Sequence, residues 1–121
     1  MAKALGIGGV FFRAKDPAAL AAWYETHLGI LPPPSDPQGT PWVTEAGVTV
    51  FSPFAHDTDY FPQDREFMLN FRVKDLQATI AALEDSGITC GEILEMSGVG
   101  RFSRIHDPEG NPVELWEPAS S

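Results

Sequence analysis

One cysteine and three histidines bound the chemistry this chain can do. His27, His56 and His106 are too widely separated for the short spacings with which paired histidines hold a metal, and each is expected at the surface. His106 is the best placed of the three for proton transfer, because a predicted hairpin brings it near Glu114; it is not assigned a catalytic role. Cys90 stands alone, so it forms neither an intrachain disulfide nor a cysteine zinc cluster, and no base is placed to activate its thiol. It reads as a small apolar residue in a strand. Asp57, Asp59 and Asp64 make a loose acidic run, but without the glycine and terminal Glu of an EF-hand they read as solvated loop charge. Tyr60 and Phe61 are large aromatics in the same polar stretch, expected to anchor that loop over a sheet or to cover the mouth of a pocket.

The elements that must position these groups are announced by a repeat. Residues 12–25, FRAKDPAALAAWYE, align without a gap on residues 71–84, FRVKDLQATIAALE, at an offset of 59 and with seven of fourteen positions identical. In each copy an apolar stretch runs into an Asp suited to cap a helix, so strand is expected to give way to helix at Asp16 and at Asp75. Pro17 suits the first helical position, and Gly29 and Gly87 suit the left-handed ends. Leu20, Trp23, Tyr24 and Leu28, and likewise Leu76, Ile80 and Leu83, recur at helical spacing, giving each helix one apolar face. The prolines of residues 31–37 resist regular pairing. Further strands are expected near 41–45, 48–53, 66–73, 89–96, 100–106 and 112–117, the last two joined by Asp107-Pro108-Glu109-Gly110-Asn111, a strong turn signal.

A chain of 121 residues has room for one domain. Eight basic and 17 acidic residues leave a net charge of −9, which opposes nucleic-acid phosphates and anionic lipid. No apolar run approaches the ~20 residues that cross a bilayer, and the start lacks the apolar stretch of a signal peptide. A cytoplasmic protein with no nucleic-acid or membrane partner is expected.

The opening GIGGVFFRAKDPAALAAWYETHLGI and the closing GRFSRIHDPEGNPVELWEP, set about the repeat, resemble the vicinal-oxygen-chelate (glyoxalase, bleomycin resistance protein and dioxygenase) superfamily over nearly the whole chain. The resemblance implies an α+β fold of two βαβββ modules, about 1–54 and 66–121 around a crossover loop at about 55–65. Their strands would form a cupped mixed sheet with helices on its outer face. Metal-dependent members place four ligands on strands facing the cup. Counted seven residues back from the capping Asp, the first two positions are Gly9 and Met68; the third falls at about Val50 and the fourth at Glu114. Only Glu114 is a usable donor, so the family metal centre is not expected.

Strand parity then sorts side chains by face. With Gly9 and Met68 in the cup, Val10, Phe12, Leu69, Phe71 and Val73 lie under the helices with Val113 and Leu115, while Phe11, Met68, Asn70, Glu114 and Trp116 line a largely apolar ligand pocket, with Ser52 a further polar candidate. Desolvation in such a cup would suit Glu114 to acid or base chemistry. The alternative is an ion pair with Arg101, Arg104 or Arg72; Arg72 and its repeat equivalent Arg13 otherwise read as rim ion pairs. The first expectation is a protein that binds a small molecule without a cofactor. A metal-independent enzyme using Glu114 comes second. A metal-dependent lyase, isomerase or dioxygenase, recruiting His56 or His106 with Glu114, comes third. The resemblance also admits a homodimer, which the residues leave undecided.

Overall fold

The computed structural model describes residues 2–120. Helix α1 spans Pro17–Leu28 and α2 spans Leu76–Asp85; strands β1 Leu69–Arg72, β2 Leu94–Met96, β3 Gly100–His106 and β4 Pro112–Pro118 complete the regular structure. The strands form one open mixed sheet in the order β1-β4-β3-β2. β1 runs parallel to β4 and the other neighbours are antiparallel, so the fold is α+β. None of the helices described is long and apolar enough to cross a membrane.

Both helix starts follow from their sequence. Asp16 accepts the Ala19 N–H at 3.1 Å and Asp75 accepts the Ala78 N–H at 3.0 Å, each satisfying a first-turn donor that has no partner within the helix. Pro17 opens α1, and Gly29 closes it at φ +69°, where a side chain would be strained.

The two helices pack on one face of the sheet. Leu20 and Tyr24 of α1 and Leu76 and Leu83 of α2 meet Ile105, Val113 and Leu115 in a single core. Phe71 and Val73 pack against it half-buried. The Asp107–Asn111 turn fastens this arrangement. Asp107, buried, accepts the N–H groups of Glu109 and Asn111, the Asn111 side-chain amide and the Tyr24 hydroxyl. Glu109 accepts the N–H groups of Lys15 and Asp16, tying the turn to the start of α1.

Departures from expectation lie mostly in the first half. Residues 69–118 form one βαβββ unit, whereas the expected first module, about 1–54, contributes α1 and no strand among the described residues. The strands expected before Asp16 and near 41–45 and 48–53 are absent there, and Val10 and Phe12 lie half exposed instead of under the helices. A strand persists only where a neighbour supplies its ladder. β4 has a neighbour on each side, β1 and β3, whereas the opening stretch carries Gly6, Gly8 and Gly9 and is followed by a proline-rich run, both of which weaken pairing. The strand expected over 89–96 is confined to Leu94–Met96.

Candidate functional site

Glu114 lies at the centre of β4, an inner strand, and register decides its neighbours. The parallel pairing sets Asn70 of β1 beside it, and the hairpin sets Arg104 of β3 on its other side. All three project from the sheet face opposite the helices, because Val113 and Leu115 occupy the core face. Glu114 is only 8% exposed. Its Oε1 accepts the Asn70 side-chain amide at 2.8 Å, and its Oε2 accepts the Tyr60 hydroxyl. A buried carboxylate needs such donors, since an unpaired charge would be costly to desolvate.

Tyr60 reaches this strand from the crossover loop and is held at both ends. Its backbone carbonyl accepts Arg104 Nη2 at 2.8 Å, and the Arg104 guanidinium lies 5.4 Å from the centre of its ring. Burial, and then the bonded Glu114 carboxylate, push the Tyr60 phenol up to about 12, so it stays a donor at neutral pH. Phe54 packs against Tyr60 and Phe61, and Arg65 pins the loop's far end to the Glu109 carbonyl and the Asn111 side chain.

Between this loop and the sheet is a pocket of about 480 Å³, open to solvent. Leu94 and Phe102 supply its apolar wall, with Gly91 and Ser103 behind; Asp59, Tyr60, Glu92, Arg104 and Glu114 supply its polar points. Trp116 extends the wall, stacked parallel on Phe102 with ring centres 6.0 Å apart, and its indole N–H is committed to the Val99 carbonyl. A second hollow of similar volume, between Trp23, His27 and Pro108, offers no comparable buried polar group.

Of the residues expected to bind a ligand, Glu114 lines the pocket, Asn70 is bonded to it, and Trp116 stacks on its wall. Met68 lies just before β1 and is half-buried, while Phe11 is 95% exposed in the unpaired opening segment. Ser52 is exposed too. The arginines find other partners than Glu114. Arg101 pairs with Glu117 at 3.1 Å, Arg104 holds Tyr60, and Arg72 donates to the carbonyls of Glu45 and Ala46. Sequence reasoning did not place Asp59, Gly91, Glu92, Leu94, Phe102 or Ser103 at the pocket, and it weighed Arg104 only as an ion-pair partner of Glu114; the signal for Phe102 and Arg104 was the hairpin turn, whose register sets them beside Trp116 and Glu114.

At the four positions where the resemblance would put metal ligands, Gly9 and Val50 lie in segments without strand, Met68 precedes β1, and Glu114 is already bonded to two donors. Among the described residues no three His, Cys, Asp or Glu side chains gather closely enough to hold an ion. The donor set does not fit the family metal. Cys90 is half-buried, and burial pushes its thiol up, away from the reactive thiolate.

The sequence profile of the family described as the glyoxalase-like domain matches residues 9–116. No curated protein matches significantly. Among solved structures, TnmS3, an antibiotic binding protein from Streptomyces sp. CB03234, is similar at 18% identity with a TM-score of 0.54, covering 87% of this chain and 88% of its own. A member of the glyoxalase/bleomycin resistance protein/dioxygenase superfamily from Sphaerobacter thermophilus DSM 20745 is similar at 17% identity with a TM-score of 0.51, covering 86% of this chain and 90% of its own. At such identities the likeness is one of fold.

Proposed function

The chain belongs to the glyoxalase-like domain family, and we propose that it binds a small, largely apolar molecule on the sheet face beside Glu114 without the family's metal centre. The observation that carries this proposal is the buried Glu114 carboxylate, held by Tyr60 and Asn70 at the edge of an apolar wall of Phe102 and Leu94. Ligand sites combine apolar walls with a few fixed polar groups in this way. The same fold serves an antibiotic binding protein in the Streptomyces neighbour, which supports binding as a use of the fold. The donor set, one carboxylate among the four family positions, supports binding without a metal.

The hydrogen bond between Tyr60 and Glu114 favours a second use of the same pocket, metal-independent proton transfer. A phenol and a carboxylate in contact can pass a proton to or from a substrate once one of them is released.

A thermal-shift screen of small organic molecules on the wild type, Phe102→Ala and Glu114→Gln tests these proposals together. Molecules that stabilise the wild type and lose at least roughly tenfold in affinity in Phe102→Ala are expected. If every stabilising molecule acts equally on wild type and Phe102→Ala, the pocket is not the binding site. Turnover of a bound molecule that disappears in Glu114→Gln while binding persists would make the protein an enzyme. Stoichiometric Zn, Ni, Mn or Fe in protein purified without chelator would overturn the metal-free proposal.

A further inference from the structure

Tyr60 presents two polar ends to the pocket, as a bound molecule would. Its hydroxyl donates to Glu114, its carbonyl accepts from Arg104, and its ring lies over the Arg104 guanidinium between them. The residue is only partly enclosed, at 40% exposure, and belongs to a loop without helix or strand, tethered through side chains at Phe54 and Arg65. We infer that Tyr60 occupies the Glu114–Arg104 end of the pocket as an internal ligand, and that the molecule displacing it there is a non-anionic phenolic aromatic carrying a carbonyl acceptor.

Each part of that chemistry answers a group on the sheet face. A phenol replaces the Tyr60 hydroxyl at Glu114 with the same donor. A carbonyl is met by Arg104 Nε–H, which is buried without a hydrogen-bond partner among the described residues, beside the Nη2 that the Tyr60 backbone carbonyl holds. Leaving that N–H unpaired costs the bound-loop state stability that an incoming acceptor would recover. The ring has flat company in Phe102, itself stacked on Trp116. Charge excludes an anion: Asp59, Glu92 and Glu114 line the pocket against the single guanidinium of Arg104, so an anion would be repelled.

This inference rests on the sheet-face pocket being a ligand site, and the test separates the two. Binding of para-hydroxyacetophenone, para-methoxyacetophenone and para-hydroxybenzoate is measured by NMR titration of the full chain as wild type and as Tyr60→Ala, following the Arg104 side-chain Nε–H signal. In Tyr60→Ala, para-hydroxyacetophenone is expected to bind roughly tenfold tighter than in wild type, and roughly tenfold tighter than either comparator, the effect of about one net hydrogen bond. The Arg104 signal should move with it. Equal affinity in wild type and Tyr60→Ala, equal affinity of the three probes, or an unmoved Arg104 signal overturns the inference. If Tyr60→Ala does not fold, Tyr60→Leu carries the same comparison. Should these results fail while other molecules bind in a Phe102-sensitive manner, the internal-ligand inference falls and the pocket stands. If no molecule binds in that manner, the pocket proposal falls with it.

Discussion

Single polar residues fasten this protein at points that composition does not reveal. Glu117 accepts the Leu76 N–H at the start of α2 and pairs with Arg101 across the hairpin; the Leu76 N–H first, and Arg101 with it, hold its carboxyl below the usual value of 4.5. A carboxylate depressed by folding contributes stability above its unfolded value and loses it as pH falls through the folded one. The wild type is therefore expected to lose stability more steeply than Glu117→Gln as pH drops below 4.5, read by urea unfolding across that range. Equal slopes would show that the contacts of Glu117 do not favour its charged form. Tyr24 is the apolar counterpart of such a fastening. Its ring fills the core while its hydroxyl donates to Asp107 at 2.7 Å, so one side chain joins α1 to the hairpin turn, and burial followed by Asp107 raises its phenol well above the usual range.

At the scale of the element, the β3–β4 hairpin organises everything else. Its turn fixes the register that places Arg104 beside Glu114, and Gly100 begins β3 at φ +135° with the Glu117 carbonyl in the space where a Cβ would stand. Backbone, not a flexible side chain, would have to yield. Gly100→Ala is expected to cost roughly 1–3 kcal/mol from strain at that conformation, measurable as a lower denaturation midpoint with an unchanged slope. A neutral result would mean that the strand start relaxes freely. The helix caps at Asp16 and Asp75 were legible because an Asp before an apolar periodic run is local chemistry, and the hairpin was legible because Pro108 and Gly110 are its own turn residues.

Across the whole molecule the core is small and one-sided, drawn from two helices and one face of the sheet. Leu115 is fully buried at its centre, so Leu115→Ala is expected to destabilise by about 2–5 kcal/mol. Equilibrium urea unfolding checks this, and a loss under about 1 kcal/mol would mean that the core collapses around the gap. The opposite face carries the charged and aromatic groups of the pocket, so the alternation of side chains along the strands separates the core from the proposed binding face.

The sequence by itself determined the α+β class, the two capped helices, the closing hairpin and the side of the sheet on which Glu114 stands. All of these rest on local patterns: capping residues, helical spacing, turn residues and the period of two along a strand. Tertiary structure decided which strands exist and what Glu114 touches. Val10 and Phe12 carry the apolar pattern of a strand, yet a strand exists only where another segment completes its hydrogen bonds, and no local pattern states where that partner lies. The Tyr60 hydroxyl meets Glu114 across 54 positions of chain. The sequence marks Tyr60 as an aromatic in a polar loop, but only the path of the loop brings its donor to that carboxylate and its carbonyl to Arg104.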